Sequence, residues 1–216
     1  MGVMMELEVR YYYNNEKYDE LVNLIKDRTS LLDKGEFYEK TIQYNHPMKE
    51  YDFYSKEIDG RFRIRITKGK DDSKCMISWK KRMGEVKQDD INQEEEIEVG
   101  INSQDYNNLI KLVSDTLHMV RVESYERYRH VFKNDEVEVV IDRYPFGICL
   151  EVENKIDSDD IDMIKDNVKK WVSMLGLRIE DSYKLSWDDK YSELCKEQGK
   201  TIYSDVLFNK DMPEVK

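Results

Sequence analysis

The sequence predicts an α+β protein built on a closed antiparallel sheet. Three observations predict it. Eight or nine segments alternate in character with period two. They outnumber the helical segments, and most follow one another through short, hairpin-like connections. On each of these segments one face is apolar and the other carries charge of nearly a single sign.

The strand-like segments run over 4–13, 36–45, 50–56, 61–68, 74–82, 91–100, 119–132, 136–143 and 147–155. Four helices are expected among them. Residues 16–28 place Tyr18, Leu21, Val22 and Ile25 on one helical face. Ser103 can cap a helix that buries Tyr106, Leu109, Ile110, Val113 and Leu117. Ser158 can cap another, with Ile161, Ile164, Val168, Trp171, Val172 and Leu175 inward and Gly176 as its left-handed stop. The fourth runs from about Asp188 to Gln198, buries Tyr191, Leu194 and Cys195, and ends at Gly199. Residues 1–200 form one expected domain, and 201–216 an extended or frayed C-terminal extension.

The chain has 216 residues and a net charge of −11, with 46 Asp and Glu against 35 Lys and Arg. That balance argues against non-specific binding to long nucleic acids or acidic membranes, which need a basic surface. No apolar run approaches the roughly 20 residues of a membrane span, and the N-terminus has no basic-then-apolar secretory pattern. Cys75, Cys149 and Cys195 are far apart, so neither a disulfide framework nor a structural zinc site is expected, and the setting is read as reducing and cytoplasmic. His46, His118 and His130 lack paired metal spacing, so any metal must be held by carboxylates. His118 and His130 are read as structural or surface residues.

The charged faces carry the functional signal. Glu6, Glu8 and Arg10 share one face of their segment; Arg61, Arg63 and Arg65 share another. Ser78, Lys80 and Arg82 are in phase, as are Glu94, Glu96 and Glu98. Tyr125, Arg127 and Arg129 form a further stripe, then Glu138, Val140 and Asp142, and then Cys149, Glu151 and Glu153. Any one stripe alone reads as a solvated face. Together, acidic and basic stripes alternate through the chain, whereas selection for solubility mixes signs. Rows of Arg need an anion among them and rows of Glu a cation. A barrel with these faces inward and its apolar faces under helices meets both needs. Its ligand would be a metal-bound oligophosphate, with guanidinium forks on phosphate oxygens and Mg²⁺ or Mn²⁺ on the carboxylates. Residues 68–72 form a hairpin turn without phosphate-loop spacing. Trp79 faces outward and is expected to pack under a helix, and Tyr11, Tyr12 and Tyr13 are read as strand packing.

These residues resemble the CYTH superfamily, the triphosphate tunnel metalloenzymes. Its N-terminal ExExK strand is matched by Glu6, Glu8 and Arg10, with Arg in place of Lys. Arg63 and Arg65, then Ser78 to Lys80, then Glu96 and Glu98, then Arg127 and Arg129, then Asp142, and finally Glu151 and Glu153 follow in the family's order. Residues 190–194 (KYSEL) resemble its late helix motif. The resemblance implies an eight-stranded antiparallel closed β-barrel, a triphosphate tunnel, with helices packed outside. It implies that Arg10, Arg63, Arg65, Lys80, Arg127 and Arg129 bind substrate, with Lys80 and Arg127 also catalytic. It implies Glu6, Glu8, Glu96, Glu98, Asp142, Glu151 and Glu153 as metal ligands for Mg²⁺ or Mn²⁺. Arg61, Lys81, Arg82, Glu94 and Glu138 are read instead as members of structural ion pairs.

Three functions follow as expectations. The first is a metal-dependent phosphohydrolase acting on inorganic tripolyphosphate or a small organic or nucleoside triphosphate. The second is a class IV adenylate cyclase converting ATP to cyclic AMP and pyrophosphate. The third is a non-catalytic polyphosphate or nucleotide sensor. The expected partner is a small triphosphate, with a homodimer possible, and with neither long nucleic acid nor membrane.

Overall fold

Leu7 and Val9 are fully buried on one face of the first strand, while Glu8 and Arg10 between them face a cavity on the other. That inversion, with charge as well as apolar bulk withdrawn from solvent, organises the fold. The computed structural model describes residues 4–55, 57–70, 72–82, 91–158 and 160–216, apart from the side chains of 4–6, 92 and 93.

Eight long strands form one antiparallel sheet: β1 (Met4–Tyr13), β2 (Leu32–Asn45), β3 (Gly60–Lys68), β4 (Ser73–Arg82), β5 (Asn92–Ile101), β6 (Val120–Lys133), β7 (Val137–Tyr144) and β8 (Gly147–Asn154). The order is β2-β3-β4-β5-β1-β8-β7-β6, and β2 pairs with β6 as well, along nearly its whole length. The sheet is therefore strongly curled, with its two end strands hydrogen-bonded to each other. A two-residue strand, β9 (Asp205–Val206), adds in parallel to β6.

Four α-helices cover the sheet. α1 (Tyr18–Arg28) and α3 (Ile161–Met174) bury Leu21, Ile25, Ile164, Val168 and Trp171 against Leu7, Val9, Ile141, Leu150 and Val152. α2 (Tyr106–Lys111), continued by a π turn over Leu112–Thr116, lies on the outer residues of β2, β3 and β4 around Tyr44, Ile64 and Cys75. α4 (Trp187–Gln198) does not lie outside with the others. It packs on Tyr125, Tyr144 and Cys149, which share the inward face with the charged residues, and so fills one end of the curled sheet. A capping box of Ser186 with Asp189 starts α4, and Gly199, at φ +63°, stops it.

Several elements differ from expectation for local reasons. Residues 50–55 are not a strand, and residue 56 of the expected 50–56 segment lies outside the described residues. Asp52 accepts hydrogen bonds from the Asn45 side chain and the Tyr54 backbone, which replace a sheet ladder. Phe53 then folds onto Phe62 and Trp79, so Trp79 does face outward, under this loop rather than under a helix. Asn102, not Ser103, accepts the capping bond ahead of α2, and Leu117 is exposed beyond its end. Asp160, not Ser158, caps α3, which leaves Ile161 in the first turn and 41 % exposed. The C-terminal segment is extended, yet Val206, Met212 and Val215 are buried against α4. His130 bridges Tyr18 and Asp33, a structural role as expected.

Candidate active site

The inward strand faces surround a cavity of about 380 Å³. Its size lies within the range of small-molecule sites. Although the chain carries a net charge of −11, cations outnumber carboxylates in the cavity wall. Arg10, Arg63, Arg65, Lys80, Arg127, Arg129, Glu8, Glu96, Glu98, Glu151 and Glu153 all contribute to that wall. Eleven positions named from sequence thus converge on one space. Glu6 shares their phase on β1, but its side chain lies outside the described residues.

Asp142 is the exception. It is fully buried and is not part of the cavity wall. Both its oxygens are engaged, accepting from Arg127 Nη1 at 2.6 Å and from Arg129 Nε and Nη2 at 2.7 Å. Its place is behind the arginines, which it anchors. The same alternation of charge continues in both directions. Arg127 Nε donates to Glu39 at 2.7 Å. Arg129 also donates to Glu151 at 2.9 Å, Arg10 Nε donates to the other Glu151 oxygen at 3.0 Å, and Arg10 Nη2 donates to Glu8. Glu39, Arg127, Asp142, Arg129, Glu151, Arg10 and Glu8 therefore form one continuous network across β2, β6, β7, β8 and β1. Burial works against ionising Glu151, but Arg10 and Arg129 outweigh it and hold the carboxyl down at about 2. Glu39 is likewise held well below its ordinary range: burial opposes ionisation and Arg127, Arg65 and Arg129 overcome it.

The opposite wall is arranged differently. On β2, Glu39, Thr41 and Gln43 point inward, each directly between a β6 residue and a β3 residue: Arg127 and Thr67, then Tyr125 and Arg65, then Glu123 and Arg63. Arg63 Nε donates to the Gln43 amide oxygen at 2.9 Å, and Arg65 Nε donates to the Thr41 hydroxyl at 3.3 Å. Among the described residues Arg63 has no carboxylate within salt-bridge distance, and the nearest to Arg65 is Glu39 at 3.8 Å. A guanidinium has five N–H donors in a planar fork, so both retain donors directed into the cavity. Lys80 faces Glu96 at 3.1 Å, in register across β4 and β5.

Arg61 pairs with Asp59, Arg82 also approaches Asp59, and Glu138 pairs with Lys133, the ion pairing expected of them, although all three also line the cavity. Glu94 lines it too, whereas Lys81 does not. Glu39 and the aromatic floor of Tyr144 and Trp187 are among the lining residues that sequence reading missed. Period-two phasing of Glu39 with Thr41 and Gln43 was available as a signal, but a stripe with one charge in three does not stand out. Among the described residues no three His, Cys, Asp or Glu side chains gather into a ready-made metal cluster. No described helix is long and apolar enough to cross a membrane.

Comparison with known proteins agrees with this geometry. The CYTH domain profile matches residues 4–185. The structure is similar to PH1819 of Pyrococcus horikoshii, with a TM-score of 0.65 and 24 % identity, covering 89 % of this chain and 99 % of that one. It is similar to a proposed adenylate cyclase of Vibrio parahaemolyticus, with a TM-score of 0.69 and 13 % identity over 88 % of this chain and 99 % of that one. It is also similar to HpAC1 from Hippeastrum, an adenylyl cyclase candidate for which a dominant triphosphatase activity is described, with a TM-score of 0.57 and 17 % identity over 92 % of this chain and 97 % of that one. No curated protein matches the sequence. With the profile spanning most of the chain and the paired charge stripes assembled around one cavity, the chain belongs to the CYTH domain family.

Proposed function

We propose that the protein is a divalent-metal-dependent phosphohydrolase that takes a small triphosphate into this cavity. The observation that carries the proposal is the asymmetry of the wall. Among the described residues Arg63 makes no ion pair and Arg65 only a long one, to Glu39 at 3.8 Å, while Arg127 and Arg129 are fixed in place by Asp142. Free donors bind an anion, and fixed ones stay aimed while charge redistributes over its oxygens. The pairing of β2 with β6 supports a closed tunnel around the ligand, with α4 and its aromatic floor keeping water from one end.

Glu8 and Glu153 are partners across β1 and β8, with Glu151 two residues away on the same face. Carboxylate oxygens are the donors a hard cation such as Mg²⁺ or Mn²⁺ takes, and an ion here would replace the Arg10, Arg129 and Lys155 contacts that these three now make. Bound there, the ion would neutralise phosphate charge and acidify a water. The chain's own contribution is separate. Arg63 and Arg65 hold phosphate oxygens, Lys80 adds a point charge steadied by Glu96, and Arg10 keeps Glu151 ionised and orients both Glu8 and Glu151.

The test is to incubate the protein with tripolyphosphate, thiamine triphosphate and ATP, each with Mg²⁺ or Mn²⁺, and to identify the products. Orthophosphate release supports the hydrolase. Cyclic AMP with pyrophosphate would replace it with the adenylate cyclase reading. Tight binding without turnover would replace it with a sensor.

A further inference from the structure

The carboxylates proposed as cation ligands are already engaged by cations of the chain itself. Arg10 Nη2 donates to Glu8, and Lys155 pairs with Glu153. Arg10 Nε and Arg129 Nη2 take the two oxygens of Glu151, at 3.0 and 2.9 Å. These three cations differ in what they lose by leaving. The Lys155 side chain is 36 % exposed and can turn into water. Arg129 keeps its two bonds to Asp142 when Glu151 lets go. Arg10 is only 8 % exposed, and among the described residues Glu8 and Glu151 are its only ion-pair partners. Glu94 on β5 adds a more distant negative charge.

Arg10 is also held from its other side. Its Nη1 donates to the Leu185 carbonyl at 3.2 Å, and its own carbonyl accepts from the Tyr183 backbone N–H at 2.7 Å. Residues 183–185 lead directly into Ser186, the cap of α4. Three nitrogens of one planar fork thus serve two carboxylates and a carbonyl, whereas a lysine ammonium offers all its donors from one point. A guanidinium deprived of both carboxylates at this depth is a buried charge without a counter-ion, which is costly. A cation arriving alone on Glu8 and Glu151 leaves Arg10 in that state. A cation arriving with an oligophosphate does not, because phosphate oxygens accept from the donors that the carboxylates release.

We propose that Arg10 is a positioning residue that holds the place of the divalent cation between Glu8 and Glu151 in the unliganded protein, and passes to phosphate oxygens when the cation and an oligophosphate enter together. This rests on reading the cavity as a metal–triphosphate site. Arg63 and Arg65 need no such exchange, since their Nε donors rest on the neutral Gln43 and Thr41 side chains. They receive an oligophosphate without metal, whereas Mg²⁺ without oligophosphate is held off. The departure of Arg10 is shared by both ligands, so each tightens the other.

The experiment is calorimetric titration of Mg²⁺ alone, and of tripolyphosphate with and without Mg²⁺, into the wild type, Arg10→Gln, Arg10→Lys and Arg63→Gln. Mg²⁺ alone should bind Arg10→Gln at least about tenfold more tightly than the wild type, because no buried pair has to be broken. Arg10→Lys, which keeps the charge but not the fork, should fall between them. Arg63→Gln removes a cation that pairs with neither carboxylate, and should change Mg²⁺ affinity by no more than about threefold. For the preformed Mg²⁺–tripolyphosphate complex the gain of Arg10→Gln should disappear, because Arg10 then loses a partner. If Arg10→Gln folds only with Mg²⁺, the midpoint of its Mg²⁺-dependent folding, followed by far-ultraviolet circular dichroism, supplies its Mg²⁺ affinity. Equal Mg²⁺ affinities in the wild type and both Arg10 variants would overturn the displacement. An undiminished gain with the preformed complex would overturn the transfer to phosphate. Tripolyphosphate that binds none of these proteins, with or without Mg²⁺, would overturn the triphosphate reading of the cavity itself, and the transfer with it.

Discussion

Asp142 accepts two parallel hydrogen bonds from Arg129, each 2.7 Å long, and shares one of those oxygens with Arg127. One buried carboxylate on β7 thus sets the direction of two guanidiniums two residues apart on the neighbouring strand β6. Removing one partner of a buried ion pair strands the other charge away from water. Asp142→Asn leaves two arginines against a neutral amide and should cost about 3–5 kcal/mol of stability, the cost of breaking a buried pair. Chemical denaturation would show this as a lower midpoint at an unchanged slope. A variant of wild-type stability would show that Asp142 does not organise the pair.

Arg63 and Arg65 should behave in the opposite way. Among the described residues Arg63 pairs with no carboxylate and Arg65 only loosely with Glu39, at 3.8 Å, so Arg63→Gln and Arg65→Gln remove ligand contacts more than structural ones. A charge-assisted hydrogen bond contributes about 1.5–3 kcal/mol, so each change should weaken tripolyphosphate binding about tenfold to a hundredfold. Stability should hold or rise slightly, because like charges are separated. Calorimetric binding beside a denaturation curve checks the split; equal losses in both would assign these arginines a structural role.

The contrast between these pairs marks what the sequence carried. Arg63, Arg65, Arg127 and Arg129 all stand out as RxR stripes, because period two states which face a residue takes. It does not state what lies across from that face. Asp142 matched the acidic pattern as well as Glu151 did, and only the β6–β7 register shows it sitting directly opposite Arg129. Glu39 lay in a stripe with Thr41 and Gln43, whose importance depends on β2 pairing with both β3 and β6. The place of α4 was hidden for a similar reason: its apolar face was legible, but its partners Tyr125, Tyr144 and Cys149 sit on faces otherwise read as charged.

Gly60 tests the support beneath the arginine wall. A methyl group added there would run into the indole of Trp79. Trp79 packs on Phe53 with ring centroids 4.9 Å apart, and Gly60 begins the strand that presents Arg61, Arg63 and Arg65. Gly60→Ala should force the indole outward and destabilise the protein by about 1–3 kcal/mol, the usual cost of overpacking. Tryptophan fluorescence should shift to the red. An unshifted spectrum with full stability would show that the loop yields freely.

Glu123 offers a pH test whose sign is fixed by its surroundings. It sits on β6 near the acidic first turn of α4, bonded by the Gln43 amide. Burial first, and then the charge of Asp188, raise its carboxyl to about 7 against the partial relief of Arg63 and Arg61. The ordinary value is 4.5. Between those two values the folded protein holds a proton that the unfolded chain has released, so stability falls as pH rises across that window. Below about 4.5 both states are protonated and the residue contributes no pH dependence; above about 7 the full cost of a buried anion is present. That cost is of the order of 3 kcal/mol by linkage. Glu123→Gln keeps the shape and the contact to Gln43 while removing the ionisation. It should therefore unfold at a higher denaturant concentration than wild type at pH about 8 and match it at pH about 4, with the curves separating between. If the two proteins keep a constant gap across the whole range, the Glu123 carboxyl is not raised, and α4 feels no repulsion from it.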